Sequence, residues 1–274
     1  MRYLRKFGEF KLLLESGTTR SGLGEVSNLL FTARDRAWPE TITKKISNTK
    51  VDTQLVAVAL FNWIKKNPSY DPTLLKCAIS MIFRESKGSD ISFLHPKEIL
   101  GAIDNLFGGN RSQGYAQIQP EVAKEHGIDV SALYTREGSI DAAYKMTYDN
   151  YVKARKFYSG TTVAVFKDNK LVQIPALNGD AALHMAVASH NAGVGIIDKW
   201  CETTIAGIAN PCRVDSRKPW EKERPTTVAK THKDKPIPNY FPNKGGVHGY
   251  MPQIITSFNE LNNLPNLLKQ LKTP

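Results

Sequence analysis

The strongest constraint on the fold is a nearly continuous apolar run, TLLKCAISMIFRES, at residues 73–86. A run of this length without proline or glycine predicts a helix. At 100° per residue, one side of that helix is apolar except for one acid: Leu74, Ala78, Met81, Ile82 and Glu85. The polar residues are expected on another side: Lys76, Ser80 and Arg84. The pattern therefore predicts that Glu85 shares the buried side.

Glu85 is also close to the C-terminal end of that helix, where the helix dipole disfavours an anion. Three interpretations account for an acid in this place. It is an accident of the helix end, one half of a structural ion pair, or a proton donor in a dry pocket. The helix alone does not choose among them.

Periodicity elsewhere predicts a mainly α protein (α+β) with one small β-hairpin. Two β-prone runs flank Asp168-Asn169 and predict a hairpin over 161–177. Further helices are expected at 51–67, within 95–110, from Pro120 to a stop at Gly127, at 139–158, at 179–200 with a break at 191–193, and at 253–271 interrupted at Pro265. Gly114 is expected to permit an unusual backbone conformation in the polar segment 111–120.

Breaks in composition predict three regions. The proline-containing segment 67–72 ends a helical N-terminal region at 1–72, and 73–200 follows as the central domain. Residues 201–274 form an extension rich in Pro, Gly and Lys, read as irregular over 213–250.

The net charge of +11 lies in the flanks of the chain. Residues 1–72 carry 12 basic against 7 acidic side chains, and residues 201–274 carry 11 against 6, whereas 73–200 carries 14 against 13. Basic flanks suit a polyanion such as nucleic acid, anionic lipid or an acidic cell-wall polymer. Ordinary solvated surface is the alternative.

The N-terminal segment and the cysteines bear on the compartment. Charges interrupt the first 17 residues, MRYLRKFGEFKLLLESG, so we expect no secretory signal and synthesis in the cytoplasm. No apolar run reaches the roughly 18 residues of a membrane span. Cys77 reads as a core residue; Cys201 and Cys212 could pair, although three cysteines do not suggest a disulfide framework.

Three short motifs follow one another in order: Glu85-Ser86, then GYAQIQP at 114–120, then SHNAG at 189–193. In this order they resemble the lytic transglycosylase and goose-type lysozyme superfamily, which cleaves the glycan strands of peptidoglycan. The resemblance covers about 73–200. The sequence departs from the family where Tyr115-Ala116 replaces Leu-Met and where His190 replaces Tyr. Only part of a family helix start remains, at Ser139-Ile140.

The resemblance implies a lysozyme-like helical catalytic domain acting on the β-1,4 bond between MurNAc and GlcNAc. It implies Glu85 as the catalytic acid. It implies a set of substrate-binding residues: Ser86, Gln113, Tyr115, Gln117, His190 and Asn191. No cofactor and no metal are expected, because the histidines are scattered and none pairs with a nearby cysteine at metal-ligand spacing.

Two chemistries are compatible with such a site. Protonation of the leaving oxygen requires a carboxylic acid, and burial against apolar neighbours favours the protonated form. A transglycosylase uses that one acid twice and forms a 1,6-anhydro product; a hydrolase activates water, usually with a second carboxylate. Asp90, Glu98 and Asp104 are candidate second acids, but no spacing selects one, and we favour the single-acid reaction.

The expected partners are peptidoglycan glycan strands, with acidic cell-wall polymers at the basic C-terminal arm and no nucleic acid. The enzyme would reach the wall after release or delivery, as a phage endolysin, as part of a phage particle, or through a bacterial secretion machine. A catalytically silent peptidoglycan-binding or virion structural protein is the first alternative. A basic nucleic-acid-binding protein is the second.

Overall fold

A computed structural model describes residues 17–37, 49–86, 112–167, 170–192, 197 and 250–272. Helices hold 78% of the described residues, and one two-stranded antiparallel sheet accompanies them. The prediction of a mainly α chain with a small hairpin is therefore confirmed. The predicted helix within 95–110, the hairpin turn at 168–169 and both Cys201 and Cys212 lie outside the described residues.

The chain divides into two compact units, unit 1 at Met1–Tyr144 with Thr256–Pro274 and unit 2 at Lys145–Ile255. Unit 1 begins with helices α1 (Gly17–Ala37), α2 (Thr49–Lys66) and α3 (Pro72–Ser86). Helix α4 (Pro120–Glu125), the 3-10 turn Val130–Tyr134 and the start of α5 (Arg136–Ala154) follow. Helix α1 packs against both α2 and α3. The N-terminal helix is thus part of the same core as the helix that carries Glu85.

The C-terminal segment contributes to the same core. After the last turns of helix α7 (Tyr250–Glu260), the 3-10 turn Leu261–Asn263 leads into helix α8 (Leu264–Lys272). Helix α8 packs against α1 and α2, and Gly22 of α1 lies so close that a Cβ there would be 2.6 Å from Leu271 Cδ2. The predicted interruption of the terminal helix is confirmed, although the break precedes Pro265. Residues 250–272 are therefore packed helix, whereas most of the predicted irregular arm lies outside the described residues.

Unit 2 contains the end of α5, the hairpin and helix α6 (Ala181–Ala192). Strands β1 (Thr162–Lys167) and β2 (Lys170–Pro175) pair in the register Val163↔Ile174 and Lys167↔Lys170. This register leaves two residues for the turn, as the sequence predicts. Helix α6 packs against β1 and against the 3-10 turn Leu177–Gly179.

Helix α3 is buried on every side, which differs from the two-sided helix expected from its sequence. Ten consecutive residues, from Leu74 to Phe83, are buried. Lys76 is 7% exposed and Ser80 is 0% exposed, although both were expected on an outer face. A helix surrounded in this way belongs to the core rather than the surface. Outside this stretch, Pro72 is exposed, and Thr73, Arg84, Glu85 and Ser86 are half-buried. The prediction that Glu85 shares the buried side is therefore corrected, because the helix leaves the core at its last turn.

Lys76 is accommodated in the core by two partners from the C-terminal segment. Its Nζ donates to Asn262 Oδ1 at 2.7 Å and lies 3.8 Å from the ring centroid of Phe258. Burial lowers the pKa of Lys76. A carbonyl oxygen and a ring face both favour the ammonium, so these contacts offset part of the cost of removing that charge from water.

We expect Asn262→Ala to lower the free energy of unfolding by about 1–3 kcal/mol, because a buried ammonium loses an acceptor. Asn259→Ala changes an exposed asparagine of the preceding helix and serves as the control. Chemical denaturation of both variants measures the difference. Equal stability of Asn262→Ala and wild type would show that the hydrogen bond to Lys76 adds nothing.

His184 is fully buried in unit 2. Its Nδ1 accepts a hydrogen bond from the backbone N–H of Leu177 at 3.1 Å, which ties α6 to the turn after the hairpin. Burial lowers the pKa of His184 to about 3. Because the folded state then binds the proton more weakly than the unfolded state, His184 leaves stability intact above pH 6.5 and reduces it as the pH falls.

The free energy of unfolding is accordingly expected to fall between pH 6.5 and about pH 4.5, with roughly 3 kcal/mol of that loss due to His184. His184→Asn retains an acceptor for the Leu177 N–H and removes the titrating ring. Urea unfolding at a series of pH values should show a slope smaller by one proton in the variant. Identical slopes would mean that His184 is protonated equally in both states.

Within the described ranges, no helix combines the length and apolarity needed to cross a bilayer.

Candidate functional site

Glu85 and Ser86 form the last turn of α3, where the helix leaves the core. Both side chains are half-buried, and Glu85 is the only acid in the helix. The Ser86 hydroxyl donates to the Ile82 carbonyl at 3.1 Å, a hydrogen bond within the helix itself. The structure thus presents Glu85 at the end of a rigid, buried helix, with Ser86 turned back along the helix.

A tight loop, Gln113–Ile118, holds the second group of predicted site residues; we call it the Gln117 loop. Its ends form an antiparallel bridge, with N–H to carbonyl distances of 2.9 Å from Gln113 to Ile118 and 3.1 Å in return. Gly114 has φ +71°, as its sequence context predicts, and Gln117 has φ +49°. A left-handed glutamine is uncommon and indicates a backbone that its surroundings hold in place.

The side chains of this loop differ in their access to solvent. Tyr115 is 0% exposed and Gln113 is buried, whereas Gln117 is half-buried. The Gln117 Nε2 donates to the Gly114 carbonyl at 2.8 Å, so part of the amide is used inside the loop. The Tyr115 ring has no exposed face that a ligand could contact. Of the three loop side chains predicted to bind substrate, Gln117 is the one that is partly open to solvent.

Two elements behind the Gln117 loop fix it closely. A Cβ added to Gly114 would lie 2.4 Å from the Leu133 carbonyl oxygen and 2.5 Å from Ser139 Oγ. Ser139 Oγ donates to that same Leu133 carbonyl at 2.9 Å and accepts from the Tyr115 N–H at 3.4 Å. Gly114 is therefore required both for its φ angle and for the space it leaves.

His190 and Asn191 lie at the C-terminal end of α6, in unit 2. His190 is half-buried, and the Asn191 side chain is outside the described residues. Glu85, Ser86 and the Gln117 loop all belong to unit 1. The three sequence motifs are thus distributed as two in unit 1 and one in unit 2.

Sequence reasoning did not include Ser139 among the site residues. The available signal was the partial match of Ser139-Ile140 to a helix start of the resembled family. Ser139 contacts backbone atoms of Tyr115 and Leu133. Every residue has these atoms, so the sequence does not indicate which of them a serine will contact.

Among the described residues, no three His, Cys, Asp or Glu side chains gather in a way that could hold a metal ion.

No protein-family model, no curated protein and no solved structure matches this chain.

Gly114→Ala and Gly127→Ala form a matched pair, because both glycines have positive φ but only Gly114 faces close neighbours. We expect Gly127→Ala to lower the free energy of unfolding by about 1–2 kcal/mol, the cost of a left-handed alanine. Gly114→Ala adds steric overlap, for a total of roughly 2–5 kcal/mol. Denaturant midpoints of the two variants measure the difference, and equal losses would contradict the close approach.

Proposed function

We propose that this protein is a peptidoglycan-cleaving glycosidase with a lysozyme-like catalytic domain, in which Glu85 is the catalytic acid. The observation that carries the proposal is the position of Glu85. A single carboxylate stands at the half-buried C-terminal end of a helix whose residues from Leu74 to Phe83 are all buried, in the same unit as the tight loop that holds Gln117.

The helix dipole does not favour an acid at the position of Glu85. Its carboxylate lies next to the C-terminal end of α3, where the helix dipole opposes a negative charge. A half-buried carboxyl group at this position is accessible to a bound molecule, as a general acid must be. The buried turns of α3 before it hold the acid in one place, which proton transfer to a glycosidic oxygen requires.

The Gln117 loop supplies the second element of the proposal. An uncharged amide can donate and accept hydrogen bonds, as recognition of the acetamido and hydroxyl groups of an N-acetylated sugar requires. The unusual φ of Gln117 resembles the strain often held at binding sites. Burial gives Tyr115 and Gln113 a packing role in the loop. Ser86, His190 and Asn191 stay predictions as substrate contacts.

Cleavage of the β-1,4 bond between MurNAc and GlcNAc would begin with proton donation from Glu85 to the leaving oxygen. The carboxylate so formed would then accept the proton of the C6 hydroxyl as that oxygen attacks C1, closing a 1,6-anhydro ring. We favour this transglycosylase reaction over hydrolysis because it requires no second carboxylate. Asp90, Glu98 and Asp104, the candidates for that second group, lie outside the described residues.

The proposal includes delivery and attachment. We infer action on the cell wall after release or delivery, as a phage endolysin, a virion-associated lysin or a secreted bacterial enzyme. Residues 213–249 carry nine basic against four acidic side chains and are the proposed contact with acidic wall polymers. They lie outside the described residues.

Digestion of purified sacculi by wild type and by Glu85→Gln tests the activity. We expect the wild type to release anhydro-muropeptides and the variant to lose at least about 100-fold in rate, the usual scale for a removed general acid. Glu125→Gln, a change at an exposed acid of α4, is the matched control and should retain full activity. Mass spectrometry of the released fragments identifies the products.

The products distinguish the remaining possibilities. Reducing-end muropeptides that depend on Glu85 would identify a lysozyme and require a second carboxylate. Binding to sacculi without release of fragments would support a catalytically silent wall-binding or virion protein. Salt-sensitive binding to DNA without either result would support the nucleic-acid-binding alternative.

A further inference from the structure

Ser139 joins the Gln117 loop to the elements behind it. It is the fourth residue of α5, is 1% exposed, and keeps its own helical N–H bond to the Thr135 carbonyl at 2.9 Å. Its hydroxyl is a donor to Leu133 O at 2.9 Å and an acceptor for Tyr115 N–H at 3.4 Å. One hydroxyl therefore connects the start of α5, the 3-10 turn Val130–Tyr134 and the loop.

The space around this hydroxyl is tightly filled. A Cβ on Gly138 would lie 2.3 Å from the Ala132 carbonyl oxygen and 2.6 Å from Thr135 Oγ1. A Cβ on Gly114 would meet Leu133 O and Ser139 Oγ at similarly short distances. Both glycines therefore bring the backbone of neighbouring segments close together beside Ser139.

The Ser139 hydroxyl is connected to Gln117 through the peptide group between Gly114 and Tyr115. Tyr115 N–H, which it accepts, is two residues before Gln117, and the neighbouring Gly114 carbonyl accepts both the Gln117 N–H at 3.3 Å and its Nε2 at 2.8 Å. The left-handed φ of Gln117 costs free energy and persists only where neighbours determine it. Ser139 and Gly114 are such neighbours.

We propose that Ser139 is a positioning residue for glycan recognition by Gln117; this rests on the proposed function. Its hydroxyl holds the loop in the conformation that presents the Gln117 amide to an N-acetylated sugar. Ser139→Ala would leave the buried Leu133 carbonyl and Tyr115 N–H without this bond, so the loop would sample other conformations. Glu85 lies on α3, so the substitution in α5 would leave its proposed role as proton donor unchanged.

A double-mutant cycle with Gln117→Ala tests the proposal on glycan cleavage. Ser139→Ala is expected to lower kcat/KM about tenfold in the wild-type background, mostly through KM, and less than twofold in the Gln117→Ala background. Ser139→Cys keeps a weaker donor and acceptor and should fall between serine and alanine. Ser131→Ala removes an exposed hydroxyl from the neighbouring 3-10 turn and should change nothing.

A tenfold loss in both backgrounds would mean a general structural effect, and no loss in either would mean no role in recognition; both results overturn the proposal. Should Ser139→Ala fail to fold, the same cycle with Ser139→Cys decides the question. The expected loss of kcat/KM is smaller for Ser139→Cys, but it should again be present in the wild-type background and absent in the Gln117→Ala background.

Amide hydrogen exchange separates this proposal from the proposed activity. Ser139→Ala should speed the exchange of the Tyr115 and Gln117 amides at least tenfold, whereas Ser131→Ala should not. Unchanged exchange overturns the positioning role whether or not the protein cleaves glycans. A wild type that neither cleaves nor binds sacculi, combined with faster exchange in Ser139→Ala, overturns the proposed function and supports Ser139 as the residue that fixes the loop.

Discussion

Burial of α3 on all sides is the constraint on which the described part of unit 1 depends. A helix with ten consecutive buried residues needs apolar partners around its whole circumference, and its polar side chains need partners as well. Helix α1 supplies one of these surfaces, and Asn262 and Phe258 supply the partners of Lys76. Elements from both ends of the described chain are thereby required to hold one central helix, and Glu85 takes its position from that helix.

The conformation of the Gln117 loop is determined by contacts between backbone atoms rather than by packing of apolar side chains. Carbonyl groups of Ala132, Leu133 and Gly114 define the geometry, and Gly114, Gly138 and Ser139 are small enough to approach them. Such a junction has little freedom to adjust, since the interacting atoms belong to the chain itself. The end of α3 and the Gln117 loop are the two parts of unit 1 that carry the candidate residues.

Local patterns in the sequence predicted the elements well. The helix at 73–86, the antiparallel pairing of β1 with β2 and the special backbone at Gly114 all depend on residues close together in the chain. The burial of Lys76 could not be predicted in this way, because its acceptor, Asn262, is 186 positions away. The role of Ser139 was not predicted for a related reason, since its partners are main-chain atoms that every residue possesses. The catalytic assignment of Glu85 came from motif order, and periodicity alone left it open.

The packing of α8 against α1 has a consequence for biosynthesis. Unit 1 is discontinuous, with residues 145–255 lying between its two segments in the chain. On a ribosome, α1 and α2 emerge long before α8, which packs against them, so the surfaces that α8 contacts stay uncovered by it while more than a hundred residues are translated. Native packing of unit 1 therefore follows the synthesis of residues 145–255, and its contacts between distant parts of the chain form late.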